Sequence, residues 1–178
     1  MRSRFSNLSL QANAESITSK DALVNIEISD SEYRALAVGI RGDHSDSFGL
    51  GGTFWGGISV SAGDLDLSGN SADLATDNIT RRTDGRYNKV NFYVGRQQIL
   101  GDKFSAKALL SGQVADQNLG AYEKFTLGDP AGLAGFTVGE AATDQDWMLN
   151  LEGKYAVSAQ WSASVLADAG GCWRRMPI

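Results

Sequence analysis

Apolar and polar residues alternate along most of the chain with a period of two, the pattern of strands whose two faces meet different surroundings. In Trp147–Tyr155, the residues Trp147, Leu149, Leu151, Gly153 and Tyr155 fall on one face. Met148, Asn150, Glu152 and Lys154 fall on the other. Trp161–Ala169 sets Trp161, Ala163, Val165 and Ala167 against Ser162, Ser164, Leu166 and Asp168. Phe104–Val114 sets Phe104, Ala106, Ala108, Leu110 and Val114 against Ser105, Lys107, Ser111 and Gln113. Further apolar rows are Val90, Phe92 and Val94; Phe54, Ile58, Val60 and Ala62; Leu36, Val38 and Ile40; and Leu8, Leu10 and Ala12. The pattern predicts an all-β protein, an antiparallel meander of about seven strands. Each run is roughly 9–12 residues long, enough for a tilted strand to cross a bilayer.

A soluble antiparallel sandwich shows the same alternation, and periodicity by itself leaves both architectures open. Two features favour a membrane barrel. The apolar rows end in aromatics (Trp147, Tyr155, Trp161, Phe104), as an interfacial girdle does, and the opposite faces carry charge in mid-strand, as a wet lumen does. Connections alternate in length: long over 15–31, short over 43–51, long over 65–86, short over 101–103, long over 117–146 and short over 158–160. Such alternation is expected of bacterial barrels. It requires that Ala22–Ile28, itself strand-like, lie within an external loop.

Composition adds limits. The 178 residues suit one domain, and 21 glycines with only two prolines suit a turn-rich β protein. No apolar run reaches the ~18 residues of a membrane-spanning helix. A barrel needs none, so the mean hydropathy of -0.22 does not discriminate. A net charge of -5 gives no electrostatic support for a nucleic-acid partner. The single cysteine, Cys172, forms no internal disulfide, and nothing in the spacing suggests a metal or a cofactor. The N-terminal residues MRSRFSNLSL contain no secretory signal, although an outer-membrane protein requires one. The expectation is therefore a partial barrel over 1–171, with a long inward-folding outer loop at 117–146 and an atypical tail at 172–178.

The most distinctive stretch is Glu123–Trp147, EKFTLGDPAGLAGFTVGEAATDQDW, where Gly128, Pro130, Gly132, Gly135 and Gly139 oppose any helix or regular ladder. It resembles the EKF, LGG-x-P, VRGY/F, GE and GD signature of two-partner secretion transporters, the ShlB/FhaC/HecB haemolysin secretion and activation family. W-x-L-N-L-E at Trp147–Glu152 and D-x-G at Asp168–Gly170 continue the resemblance in order. The resemblance implies a segment of a sixteen-stranded outer-membrane barrel that exports a haemolysin- or haemagglutinin-like client. It also implies periplasmic capture domains and a further barrel half.

In that family the sixth outer loop folds into the barrel, with a VRGY/F tip against the inner wall. The matching residues are Leu133, Ala134, Gly135 and Phe136, with Gly128, Pro130, Gly139, Glu140 and Asp144 flanking them. Ala134 replaces the tip arginine, whose wall partner matches Asp168. The sheltered contact so lost is worth about 1.5–3 kcal/mol. Asp168 is then expected to turn to water, Lys154 or Lys107. Lys107, Gln113, Asn150, Glu152 and Lys154 are expected to form a wet, lumen-facing track. The full resemblance thus makes a partial and inactive translocator the first expectation. A passive porin, an autotransporter-type anchor or a soluble sandwich is the alternative.

An enzymatic reading would rest on His44, set among Asp43, Ser45, Asp46 and Ser47 as a possible Ser-His-Asp group. DHSDSFG reads more simply as a polar turn, and no catalysis is expected.

Overall fold

A computed structural model describes residues 6–23, 26–126 and 142–172. Seven strands form one sheet in the order β1-β2-β3-β4-β5-β8-β9, each antiparallel to its neighbour. These are β1 (Ser6–Leu23), β2 (Ile26–Asp46), β3 (Gly52–Asp66), β4 (Gly85–Ile99), β5 (Phe104–Ala115), β8 (Asp146–Ala156) and β9 (Ser162–Cys172). Between β5 and β8, β6 (Phe125–Thr126) pairs with β7 (Ala142–Thr143) as a separate two-stranded ladder.

The register makes the two faces continuous across the sheet. Directly opposed residues Leu10, Ile40, Ile58, Phe92, Gly112, Trp147 and Gly171 form one transverse row. One residue along, Gln11, Gly39, Ser59, Asn91, Gln113 and Asp146 form the neighbouring row on the other face. A one-residue slip at any seam would swap the faces of every strand beyond it, so the alternation itself fixes the pairing.

No second layer covers the apolar face among the described residues. Leu10 is 79 % exposed, Val60 52 % and Val165 76 %, so these rows do not meet each other across a dry interior, as a sandwich would require. The polar face instead curves around a cavity of about 310 Å³, whose lining includes Gln11, Arg41, Ser59, Tyr93, Ser111 and Phe125. At the short-turn end of the apolar face, Phe104 and Tyr155 pack with ring centroids 4.6 Å apart. Trp161 stays exposed nearby, and Arg96 binds the Asp46 carboxylate with two nitrogens at 2.8 and 3.1 Å. This is the chemistry of a membrane-interface belt. On the polar face, Trp55 lies over Gly95, where a Cβ would come within 2.4 Å of the indole.

Several expected boundaries are corrected. Residues 15–23 and 26–31 are strand rather than loop: β1 and β2 stay paired there, with Lys20 opposite Asp30 and Leu23 opposite Ile26. The described residues of the Ala22–Ile28 stretch, 22–23 and 26–28, therefore belong to the two strands of the sheet. Asp43–Asp46 is strand rather than turn, and the chain reverses over residues 47–51. Cys172 ends β9 rather than opening a tail, while residues 173–178 lie outside the described set.

The long 65–86 connection contains an unanticipated helix, α1 (Ser71–Ile79). Asn70 caps its start by accepting from the Ala72 and Asp73 amides at 3.0 and 3.1 Å. Near its end, the buried Asp77 carboxylate accepts from the Thr83 amide and hydroxyl, both at 2.7 Å, and from the Asp84 amide at 3.0 Å. That cradle turns the chain sharply back towards β4, with Arg82 at φ 52°. Leu74 and Ile17 pack against buried Tyr33, Leu65 and Leu67. Tyr87, Ala115 and Leu119 form a second small cluster. Tyr33, Tyr87 and Ala115 all project from the polar face by strand parity, so this packing fills the loop-side end of the inner wall.

Candidate functional site: the inner wall and the stems of the long connection

The 117–146 connection enters and leaves over the polar face, and the wall holds both its stems. On the entering stem, Gly120 passes over Tyr33: a Cβ there would fall 1.5 Å from the phenol oxygen, so only glycine fits without displacing that ring. Tyr122 then meets Tyr33 edge-on, with centroids 5.5 Å apart. A 3-10 turn at Ala121–Glu123 presents Glu123 to Lys89, and the carboxylate and ammonium lie 2.5 Å apart. The same ammonium donates to the Glu123 carbonyl at 2.9 Å. Two residues on, Phe125 packs against buried Met148 of β8.

The returning stem is fastened beside it. Gln113 donates from one amide to the Glu123 carbonyl at 3.2 Å and to the Asp144 carbonyl at 3.3 Å, and accepts from Asn91 at 2.7 Å. Asp144 accepts from the Leu119 amide at 2.9 Å and lies 3.7 Å from the Lys124 ammonium. Gln145 donates to the Ala115 carbonyl at 2.8 Å, and Thr143 donates to the buried Asp146. Charge-assisted bonds from sheltered groups of this kind are stronger than exposed pairs.

Farther from the stems the wall is polar and more open. Lys107 stands opposite Glu152, and its ammonium lies 5.9 Å from the centre of the Trp55 ring. Lys154 is exposed opposite Ser105, and Glu152 accepts from Ser164 at 3.1 Å. Asn150 and Asp168 are opposed across β8 and β9, and Asn150 donates to the carboxylate at 3.0 Å. Together these strands present an apolar outer surface and a polar inner one, with the stems of the long connection tied to the latter.

The sequence profile described as "Haemolysin secretion/activation protein ShlB/FhaC/HecB" matches residues 1–176. The chain belongs to this family. It is a family of bacterial outer-membrane β-barrels that serve two-partner secretion of haemolysin- and haemagglutinin-like exoproteins, and the two-faced seven-stranded sheet is the wall such a barrel needs. Comparison with curated proteins and with solved structures returned no match.

Within this ShlB/FhaC/HecB chain the predicted site residues separate into groups. Leu133, Ala134, Gly135, Phe136, Gly128, Pro130, Gly139 and Glu140 lie outside the described residues. Lys107, Asn150, Glu152, Lys154 and Asp168 share the polar face. Asp168 takes a bond from Asn150 across the β8–β9 pairing. Gln113 also projects from that face, but it is 1 % exposed beneath the stems and is no part of a wet track. Asp144 joins the two stems.

Sequence reading missed Lys89 as Glu123's partner and Gln113 as a bridge. Their signal was weak, since each resembles any polar residue in alternation. The conjectured triad is not assembled. Asp43 and Ser45 sit on the face opposite His44 and Asp46; Asp43 accepts from Asn7 on its own face, and Asp46 pairs with Arg96 on the other. His44 Nδ1 instead meets Ser6 Oγ at 2.6 Å.

Proposed function

We propose that this chain supplies part of the wall of a two-partner secretion translocator, and that its sheet neither inserts nor transports alone. The observation that carries the reading is the sheet itself: an exposed apolar face backs a polar one to which the stems of the long connection are tied. A passive pore has no need of stems held to its wall at this many points.

The open edges support the partial barrel. β1 and β9 are the outermost strands of the sheet, and unpaired edge groups are prohibitive in lipid. Seven alternating strands leave β1 and β9 running in the same direction. A wholly antiparallel closure therefore takes an odd number of further strands, whereas a second copy would create parallel seams between β9 and β1. The even strand number usual for bacterial barrels follows from the first arrangement.

The client is a haemolysin- or haemagglutinin-like polypeptide that moves along the inner face past Lys107, Asn150, Glu152, Lys154 and Asp168. By resemblance, Gly135 and Phe136 belong to the loop tip that meets the wall at Asp168. Ala134 offers that aspartate no charge, which weakens the contact and is expected to lower transport without removing the client's path along the wall. Two measurements test the reading. Purified chain added to planar bilayers is expected to give no stable conductance; ion-conducting pores would refute the partial barrel. A photo-crosslinking residue at Lys107, in outer membranes where the barrel is complete, is expected to capture a long secreted polypeptide. Labelling of lipid instead would invert the assignment of the faces.

A further inference from the structure

Resting on the translocator reading, we infer that Lys89, Gln113 and Glu123 form a clamp that positions both stems of the long connection on the inner wall for export. The clamp is separate from the loop tip and is built entirely from described residues.

Three observations carry it. Lys89 sits in mid-strand opposite Ala115 and Ser61, with its side chain 13 % exposed and that of Glu123 14 %. A lysine sheltered to this degree must be paired. It binds both the carboxylate and the carbonyl of Glu123, at 2.5 and 2.9 Å, and so fixes a backbone position as well as a charge. Gln113, itself almost wholly buried, bridges a carbonyl on each stem while Asn91 holds its oxygen. Wall residues on β4 and β5 therefore dictate where the stems cross the wall, and the small β6–β7 ladder starts from that anchored point. Phe125 follows Glu123 by two residues and is delivered onto Met148 as a result.

The EKF sequence acquires a physical meaning here. Glu123 engages the wall cation, Lys124 faces Asp144 of the returning stem, and Phe125 fills the space over β8. Lys89 and Gln113 are positioning residues: they act on the client path through the stems they hold.

Amide hydrogen exchange on the full chain in detergent tests the clamp without requiring export. Lys89→Met is expected to raise exchange across residues 119–126 and 142–145 about tenfold or more, leaving the β2–β3 ladder within about twofold of wild type. Lys89→Arg, which keeps the charge and the donors, is expected to restore most of the protection. Unchanged stems in Lys89→Met, or an equal rise throughout β2 and β3, would overturn the clamp. The export arm uses the Lys107 photo-crosslinker in completed barrels, where Lys89→Met is expected to lower client capture about tenfold and Lys89→Arg to recover it. Loosened stems with undiminished capture would overturn the positioning role. A wild-type protein that captures no client removes the translocator reading, while the exchange result still decides the clamp.

Discussion

The middle of the sheet and its loop-side end come from the same strands, yet they are stabilised in opposite ways. In the middle, Leu36, Val38, Ile40, Ile58 and Val60 face outward with nothing from the described chain upon them. Ladder bonds and register hold this region, and its apolar face is satisfied only by surroundings that the protein does not itself supply. At the loop-side end, Tyr33, Leu65, Leu67, Tyr87 and Leu119 are buried by α1 and the entering stem. There the protein makes a small core of its own, on the face that elsewhere meets water. One lesson is that burial and membrane exposure fall on opposite faces of the same strands.

The sharpest way to break the comparison is Leu119→Ala. Leu119 is wholly buried between the entering stem and the wall, so truncation leaves a cavity and is expected to cost about 3–5 kcal/mol. Val38→Ala in the middle should cost far less in detergent, because micelle chains refill the space. Denaturant unfolding of both variants in one micelle system checks this; equal losses would mean that the loop-side cluster is no more core-like than the sheet's outer face.

Asp77→Ala is expected to cost about 3 kcal/mol, since it leaves buried donors of Thr83 and Asp84 without an acceptor. The Asp77 pKa reports the same cradle. Burial works to raise it, but the bonds from Thr83 and Asp84, with the nearby Arg81 charge, prevail and hold it below the ordinary value of 3.8. With the folded value depressed, the ionised form stabilises the fold above the unfolded pKa, about 4. That contribution is lost as pH falls through the folded value. The region 67–84 should therefore loosen in acid before the β2–β3 ladder does. Exchange measured between pH 5 and pH 2.5 would show otherwise if the ladder opened first.

Across the sheet's middle, Val38→Lys is expected to cost about 2–3 kcal/mol in lipid, because it places a charge among the acyl chains. Ser59→Lys, one residue along on the polar face, should be nearly neutral. Assembly yields in outer membranes where the barrel is complete measure the difference, and similar penalties for both would remove the distinction between outer and inner faces.

What the sequence made legible follows from this split. The outward rows were readable because lipid demands apolarity at every second residue from Leu36 to Ile40 and from Trp147 to Tyr155. Past the bilayer that demand ends. The tips of β1 and β2 carry Ser, Lys, Asp and Glu among their apolar residues, so a strand-like stretch is legible there but not its pairing within one continuous hairpin, which the backbone ladder reveals. α1 was hidden by its polar composition, although Asn70 followed by Asp73 is an N-cap signal in the sequence. The glycine-rich motif located the long connection and the EKF triplet. It did not name the wall partners, because the nearness of Lys89 to Glu123 and of Asn150 to Asp168 depends on strand register, which period-two counting along one strand does not give.

The smallest effect expected is also the most discriminating about charge. Lys20 and Asp30 lie 2.6 Å apart on the projecting hairpin, much as Lys89 and Glu123 lie 2.5 Å apart on the wall. Distance therefore makes the two pairs nearly equal, and exposure separates them: the Lys20 side chain is 62 % exposed and that of Lys89 13 %. Water and counter-ions screen the first pair, so Lys20→Ala should cost less than about 1 kcal/mol and become silent in concentrated salt. Lys89→Ala takes the cation from a sheltered carboxylate and leaves the Glu123 carbonyl only Gln113 of its two donors, and its cost should persist when salt is raised. Unfolding of both variants at low and high ionic strength separates the cases. If salt erased both losses alike, the Lys89 pair would be a surface contact, and the stems would owe their place on the wall to their other contacts, Gln113, Leu119 and Phe125 among them.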